Sequence, residues 1–96
     1  MKSPLTNKKF RVIIDNHYID FGASGYNDYI TYNLNYGKRI ADIHKERYLL
    51  RHQAREDWNN IYTAGWWARW LLWNKRSLNQ SIKDIEKYIN IKIIKI

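Results

Sequence analysis

A chain of 96 residues can build one small core and not two. The absence of cysteine excludes disulfides, thiol chemistry and any cysteine-ligated zinc site. With 17 Lys and Arg against 9 Asp and Glu, the formal charge of +8 is compatible with an anionic partner, whether nucleic acid, anionic lipid or acidic protein, but composition alone does not choose among them, and plain solvated charge is the simpler reading.

Residues 1–8 are polar with one proline and read as a flexible arm. No apolar run follows Met1, so no signal peptide is expected. No window approaches the length of a membrane span, which points to a soluble intracellular protein or one packed inside a particle. Residues 9–21 read as a β-hairpin: KFRVII, an Asp15-Asn16 turn, then HYIDF. Tyr18 and Asp20 fall on one face, Ile19 and Phe21 on the other. Two strands alone are marginal in water, so one face must pack on a helix.

Residues 22–37 read as a loop or irregular insert with room for one helical turn. Gly22 and Gly25 have the spacing of a phosphate cradle, but a plain turn is the simpler reading. No Lys-Ser/Thr pair follows, so this is no P-loop. The tyrosines of YNDYITYNLNYG either stack on bases or cover the core.

Residues 38–57 read as a basic helix, clearest from Lys38 to Arg55. On a helical wheel Ile40, Ile43, Leu50 and Ala54 fall within about 80° of one another and form the expected core face. Beside them runs a sector of His44, Lys45, Tyr48, Arg51, His52 and Arg55, with Arg47, Arg51 and Arg55 four apart. A basic sector enclosing a ring suits phosphate tracking with one base stacked. The plain alternative is a solvated face in which Asp42 and Glu46 offset Lys45 and Arg47. The candidate nucleic-acid-binding set is therefore Lys38, Arg39, His44, Lys45, Arg47, Tyr48, Arg51, His52 and Arg55, joined by Lys75 and Arg76. His44 and His52 stand about 12 Å apart along a helix, too far to share a metal. A carboxylate from Glu56 or Asp57 beside His52 is conceivable, but surface histidines are the simpler reading.

Residues 63–74 read as a central buried helix capped by Thr63, with Trp66, Trp70 and Trp73 on one face, Trp67 and Leu71 beside them and Leu72 nearly opposite. Arg69 either stacks on an indole or reaches solvent. Lys75 and Arg76 complement a helix C-terminus or meet phosphate near the next N-terminus. Ser77 with Gln80 forms a capping box that opens an amphipathic helix over 78–89, striped by Leu78, Ile82, Ile85 and Ile89. Residues 90–96 are a tail or an edge strand, which would pair with the hairpin or with a partner.

Three stretches resemble a known family: DFGASGYNDY at 20–29, HKERYLLRH at 44–52 and TAGWWARWLLWNKRSLNQSIKD at 63–84. They look like an uncharacterised family of short basic proteins encoded by large nucleocytoplasmic (giant) DNA viruses. The likeness spans most of residues 9–93 and departs from the family pattern at the longer link 30–43 and at Trp67. It implies a virus-encoded protein of the infected host cell, in the virus factory or cytoplasm, and of the virion. It implies no activity and carries over no catalytic residue.

The expected fold is α+β, a single domain with an N-terminal hairpin, and with the tail as a third strand or free, packed on about three helices around a tryptophan-rich core. The expected function is binding of nucleic acid, DNA rather than RNA, without sequence specificity and without enzyme activity, cofactor or metal. The alternative is a non-catalytic structural or interaction module of a virion or viral assembly, with a viral protein partner or self-association through the isoleucine tail.

Overall fold

The computed structural model describes residues 1–93. Strand β1 (Lys8–Ile14) pairs antiparallel with β2 (His17–Ala23), in a register that sets Phe10 against Phe21 and Val12 against Ile19. Asp15 and Asn16 both take positive φ, 48° and 66°, as a two-residue hairpin turn with right-handed strand twist requires. Ile19 and Phe21 are buried and Tyr18 is exposed, which gives the hairpin one wet and one dry face.

The first eight residues do not form the expected arm. The Met1 ammonium donates to the Arg11 carbonyl, the Arg11 amide donates back to Met1, and Lys2 bridges Phe10. Ser3 is buried, with its hydroxyl on Asp20. These contacts satisfy backbone groups that β1 would otherwise present as an open edge.

The expected irregular insert contains a helix, α1 (Tyr29–Tyr36). Asp28 accepts from the Thr31 amide while Thr31 Oγ1 accepts from the Asp28 amide, a reciprocal cap. Lys9 Nζ lies 2.8 Å from the Asp28 carboxylate and ties the cap to β1. Gly37, at φ 87°, separates α1 from α2 (Lys38–His52). Helix α2 ends before the expected residue 57: the Arg55 amide bonds the His52 carbonyl, three residues back, in a tighter turn than the α-helix.

Thr63 caps α3 (Ala64–Trp67), which runs directly into a π-helical turn, Ala68–Leu72. The wider turn breaks the wheel that placed Trp66, Trp70 and Trp73 on one face. Trp66, Trp67, Leu71 and Leu72 are the buried residues instead, and Trp70 and Trp73 are half-buried. Gly22 explains part of the fit: a Cβ there would stand 2.8 Å from Leu72 Cδ1.

Helix α4 (Leu78–Ile89) opens with Ser77 Oγ accepting from the Gln80 amide and ends at Asn90 in the left-handed region. Ile82 and Ile85 enter the core. Residues 91–93 form no strand, and the Ile93 amide donates to Glu86. Among the described residues the sheet is therefore two-stranded; the remainder of the expected tail, 94–96, lies outside them.

The core joins Ile19 and Phe21 of the hairpin to Trp66, Trp67, Leu71 and Leu72 of the central segment and to Ile82 and Ile85 of α4. Each buried indole contributes roughly 4–6 kcal/mol of transfer free energy before the entropy of ordering is subtracted. The fold is the expected α+β single domain, and among the described residues it has four α-helices, the additional one being α1 within the expected insert.

Candidate nucleic-acid interface

Helix α2 packs through its flat and small side chains. Ala41 is fully buried. The Tyr48 ring lies parallel to Trp73 with centroids 4.4 Å apart, and His52 stacks on Tyr48 at 4.3 Å. His44 stacks on Tyr32 of α1 at 4.0 Å. Tyr48 is therefore closed to a base, and each of these histidines spends a ring face inside the protein.

The expected core face of α2 is corrected by this packing. Ile40 and Ile43 are 40% and 41% exposed, and Leu50 is 63% exposed. Ala54 is exposed beyond the helix end. The reason is the partner surface: Tyr32 and Trp73 offer ring faces, and rings stacked on rings outbid the aliphatic stripe for the inward position.

Two of the remaining candidates, Lys38 and Lys45, hold structural bonds, and His52 holds one besides its stacking. Lys38 lies 2.5 Å from Asp42, which also accepts from the Tyr29 hydroxyl. Lys38 first and Tyr29 second hold the Asp42 carboxyl below its ordinary range, while burial, then Asp42, pushes Tyr29 up. Lys45 donates to the Asn74 carbonyl at 2.7 Å and lies over the Tyr29 ring. Burial, then Arg69 and Lys75, lowers the Lys45 pKa. His52 Nδ1 meets Glu56 at 2.8 Å, and the other Glu56 oxygen accepts from the Trp58 indole.

Arg69, read from sequence as stacked or solvent-reaching, lies over Trp70 at 4.4 Å and donates to the Trp73 carbonyl. Burial lowers its pKa. Lys45 thus ties α2 to the residue after Trp73, while Arg69 braces the π-helical turn from within.

The other candidates face solvent. Arg39, Arg47 and Arg51 on α2, Arg55 just past it, and Lys75 and Arg76 before α4 are all exposed. None of them forms an ion pair among the described residues, where the pairs are Lys9–Asp28, Arg11–Asp20, Lys38–Asp42 and His52–Glu56. Asp20, Asp28 and Asp42 are paired with other cations, and further carboxylates accept neutral hydrogen bonds that fix their position but leave their charge. Asp15 accepts from Tyr62, Asp57 from the Asn59 amide, Asp84 from Asn74 and Glu86 from Ile93. Of the 9 acidic residues, Glu46 alone has no such bond among the described residues. Asp15, Glu46 and Asp57 are themselves exposed, so the outward field is a net positive excess, in keeping with the formal charge of +8.

Some of these bonds carry a local signal: the Asp28-x-x-Thr31 cap and the i, i+4 pairs Lys38–Asp42 and His52–Glu56, the last of which the sequence itself suggests. The long-range bonds of Asp15, Asp20 and Asp84 carry none. Among the described residues no cluster of three metal-ligating side chains occurs, and no helix is long and apolar enough to cross a membrane. A cleft of about 460 Å³ lies away from the basic face, lined by Phe10, Val12, Trp67, Leu71, Ile82 and Ile93 among others.

Residues 1–33 match the model of a family of unknown function (DUF5754). The match spans the hairpin and the first turns of α1, and leaves α2, the tryptophan segment and α4 outside it. No curated protein and no solved structure matches the chain.

Proposed function

We propose that the protein binds nucleic acid through phosphate contacts from the outer arginines of α2, without reading sequence. The supporting observation is the excess of unpaired positive charge on one helix and its end: Arg39, Arg47, Arg51 and Arg55 stand exposed and outside every ion pair among the described residues, against one exposed acid of that helix, Glu46. Such cations gain affinity by releasing counterions from a phosphate backbone. Phosphate contacts set position and carry no base code. With Tyr48 buried, α2 itself offers no free ring on which a base could stack, so the ligand of this face is a duplex, DNA before RNA; Tyr26 and Tyr36 stay exposed outside it. In the viral setting that the motif resemblance implies, that ligand is the genome, met in the infected cell or in the virion.

The test is binding to a labelled random duplex and a random single strand, titrated from low to high salt. The expected result is duplex binding whose logarithm falls linearly and steeply with the logarithm of salt concentration. Absence of binding at low salt would overturn the reading.

The second reading, a non-catalytic interaction module, is favoured by a different observation: the exposed Ile40, Ile43 and Leu50 on the same helix.

A further inference from the structure

We infer that the outer face of α2 is a docking surface for an acidic amphipathic helix of another protein. The proposal goes beyond nucleic-acid binding and does not depend on it. Ile40, Ile43, Arg47 and Leu50 follow a 3-4-3 spacing, which places them within about 80° on the helix wheel. This is the spacing at which one helix receives the side chains of another. The opposite side of α2 is already committed to Ala41, His44, Tyr48 and His52. Ile40, Ile43 and Leu50 are left 40%, 41% and 63% exposed, and phosphate contacts give no return on exposed aliphatic carbon.

The charges choose the occupant. Arg47 stands within the apolar seam, with Arg51 on one flank and Arg39 on the other. A second copy of the chain would bring these arginines against one another, and like charges across such a seam oppose pairing. An acidic helix answers all three. Glu46 lies on the Arg39 flank and is exposed. A uniformly anionic bilayer would meet Glu46 with like charge, whereas a helix can place a lysine opposite it. The fitting partner therefore carries leucine or isoleucine at seam spacing, with Asp and Glu on its flanks. Because that helix and a nucleic acid both need Arg47 and Arg51, each excludes the other from α2.

The experiment uses the full chain and two labelled synthetic peptides of roughly three heptads, each with leucine at the seam positions, one with glutamate flanks and one with lysine flanks. The glutamate peptide is expected to bind at least about tenfold tighter than the lysine peptide, and Ile43→Ser with Leu50→Ser to weaken it about tenfold or more. Both positions are exposed, so the double variant should keep the native denaturation midpoint and native duplex binding at matched salt. Random duplex should displace the peptide. Failure of the glutamate peptide to bind, or equal binding by the double variant, overturns the proposal. So does a concentration-dependent dimer that the double variant abolishes, or Ile43-dependent capture of phosphatidylserine-containing vesicles without peptide binding. Loss of duplex binding alone, with peptide binding intact, would overturn the nucleic-acid reading and leave this one standing.

Discussion

Tyr48 and Trp73 lie face to face, centroids 4.4 Å apart and planes 4° from parallel. The pair joins the middle of α2 to the residue that ends the π-helical turn, whose amide bonds the Ala68 carbonyl. Truncating a large buried aromatic costs about 3–5 kcal/mol. Tyr48→Ala is accordingly expected to destabilise the protein by that amount in urea denaturation, while Tyr48→Phe keeps the stacked ring and most of the stability. An alanine variant of native stability would mean that α2 is held by other contacts.

The same pair shows what the sequence could reveal. The hairpin was legible because Asp15-Asn16 is turn chemistry between alternating strands, and α4 because Leu78, Ile82, Ile85 and Ile89 leave one stripe. The inward face of α2 was not, because a wheel weighted by aliphatic residues favours Ile40, Ile43 and Leu50. Ala41, His44, Tyr48 and His52 also recur at helical spacing, but their burial depends on Tyr32 and Trp73, which arrive from distant segments. For the candidate site, the cations were visible and their freedom was not. Whether an arginine is paired depends on where each carboxylate goes, and Asp15 finds Tyr62, 47 positions away. The π-helical turn has no clear signature either: Ala68–Leu72 has ordinary helix formers.

Gly65 faces Glu56. A Cβ at Gly65 would lie 2.6 Å from Glu56 Oε2, so Gly65→Ala must shift the carboxylate that bonds His52 and Trp58. Losing those bonds is expected to cost about 1–3 kcal/mol. In a double-mutant cycle, Glu56→Ala with Gly65→Ala should cost clearly less than the sum of the single changes. Additive costs would show that the clash lies elsewhere.

Acid should destabilise the fold through Asp20 and Asp42. Arg11, then Ser3, holds Asp20 below its ordinary value of 3.8, and Lys38, then Tyr29, does the same for Asp42. A carboxyl whose folded pKa is depressed contributes stability above the unfolded value, and loses it as pH falls from there through the folded value. Urea midpoints are therefore expected to be flat near neutral pH and to drop below about pH 4. Asp20→Asn should lower the plateau and flatten that drop. An unchanged acid limb in this variant would remove Asp20 from the account.

The arginines allow a count. Each phosphate neutralised on duplex DNA contributes about 0.9 to the slope of log affinity against log salt. Arg47, Arg51 and Arg55 are exposed and hold no ion pair among the described residues, so changing all three to glutamine removes charge without removing a fold contact. If each meets a phosphate, the slope should shrink by about 2.7 while the urea midpoint stays put. Lys83→Gln is the control: it is an exposed lysine on α4 and shares the net charge but not the helix. A slope that falls as much per residue for Lys83 as for the arginines would mean that the whole surface attracts the duplex and that α2 is not its seat. A slope that falls only for the arginines would place the phosphates along α2, where the docked acidic helix would have to compete for them.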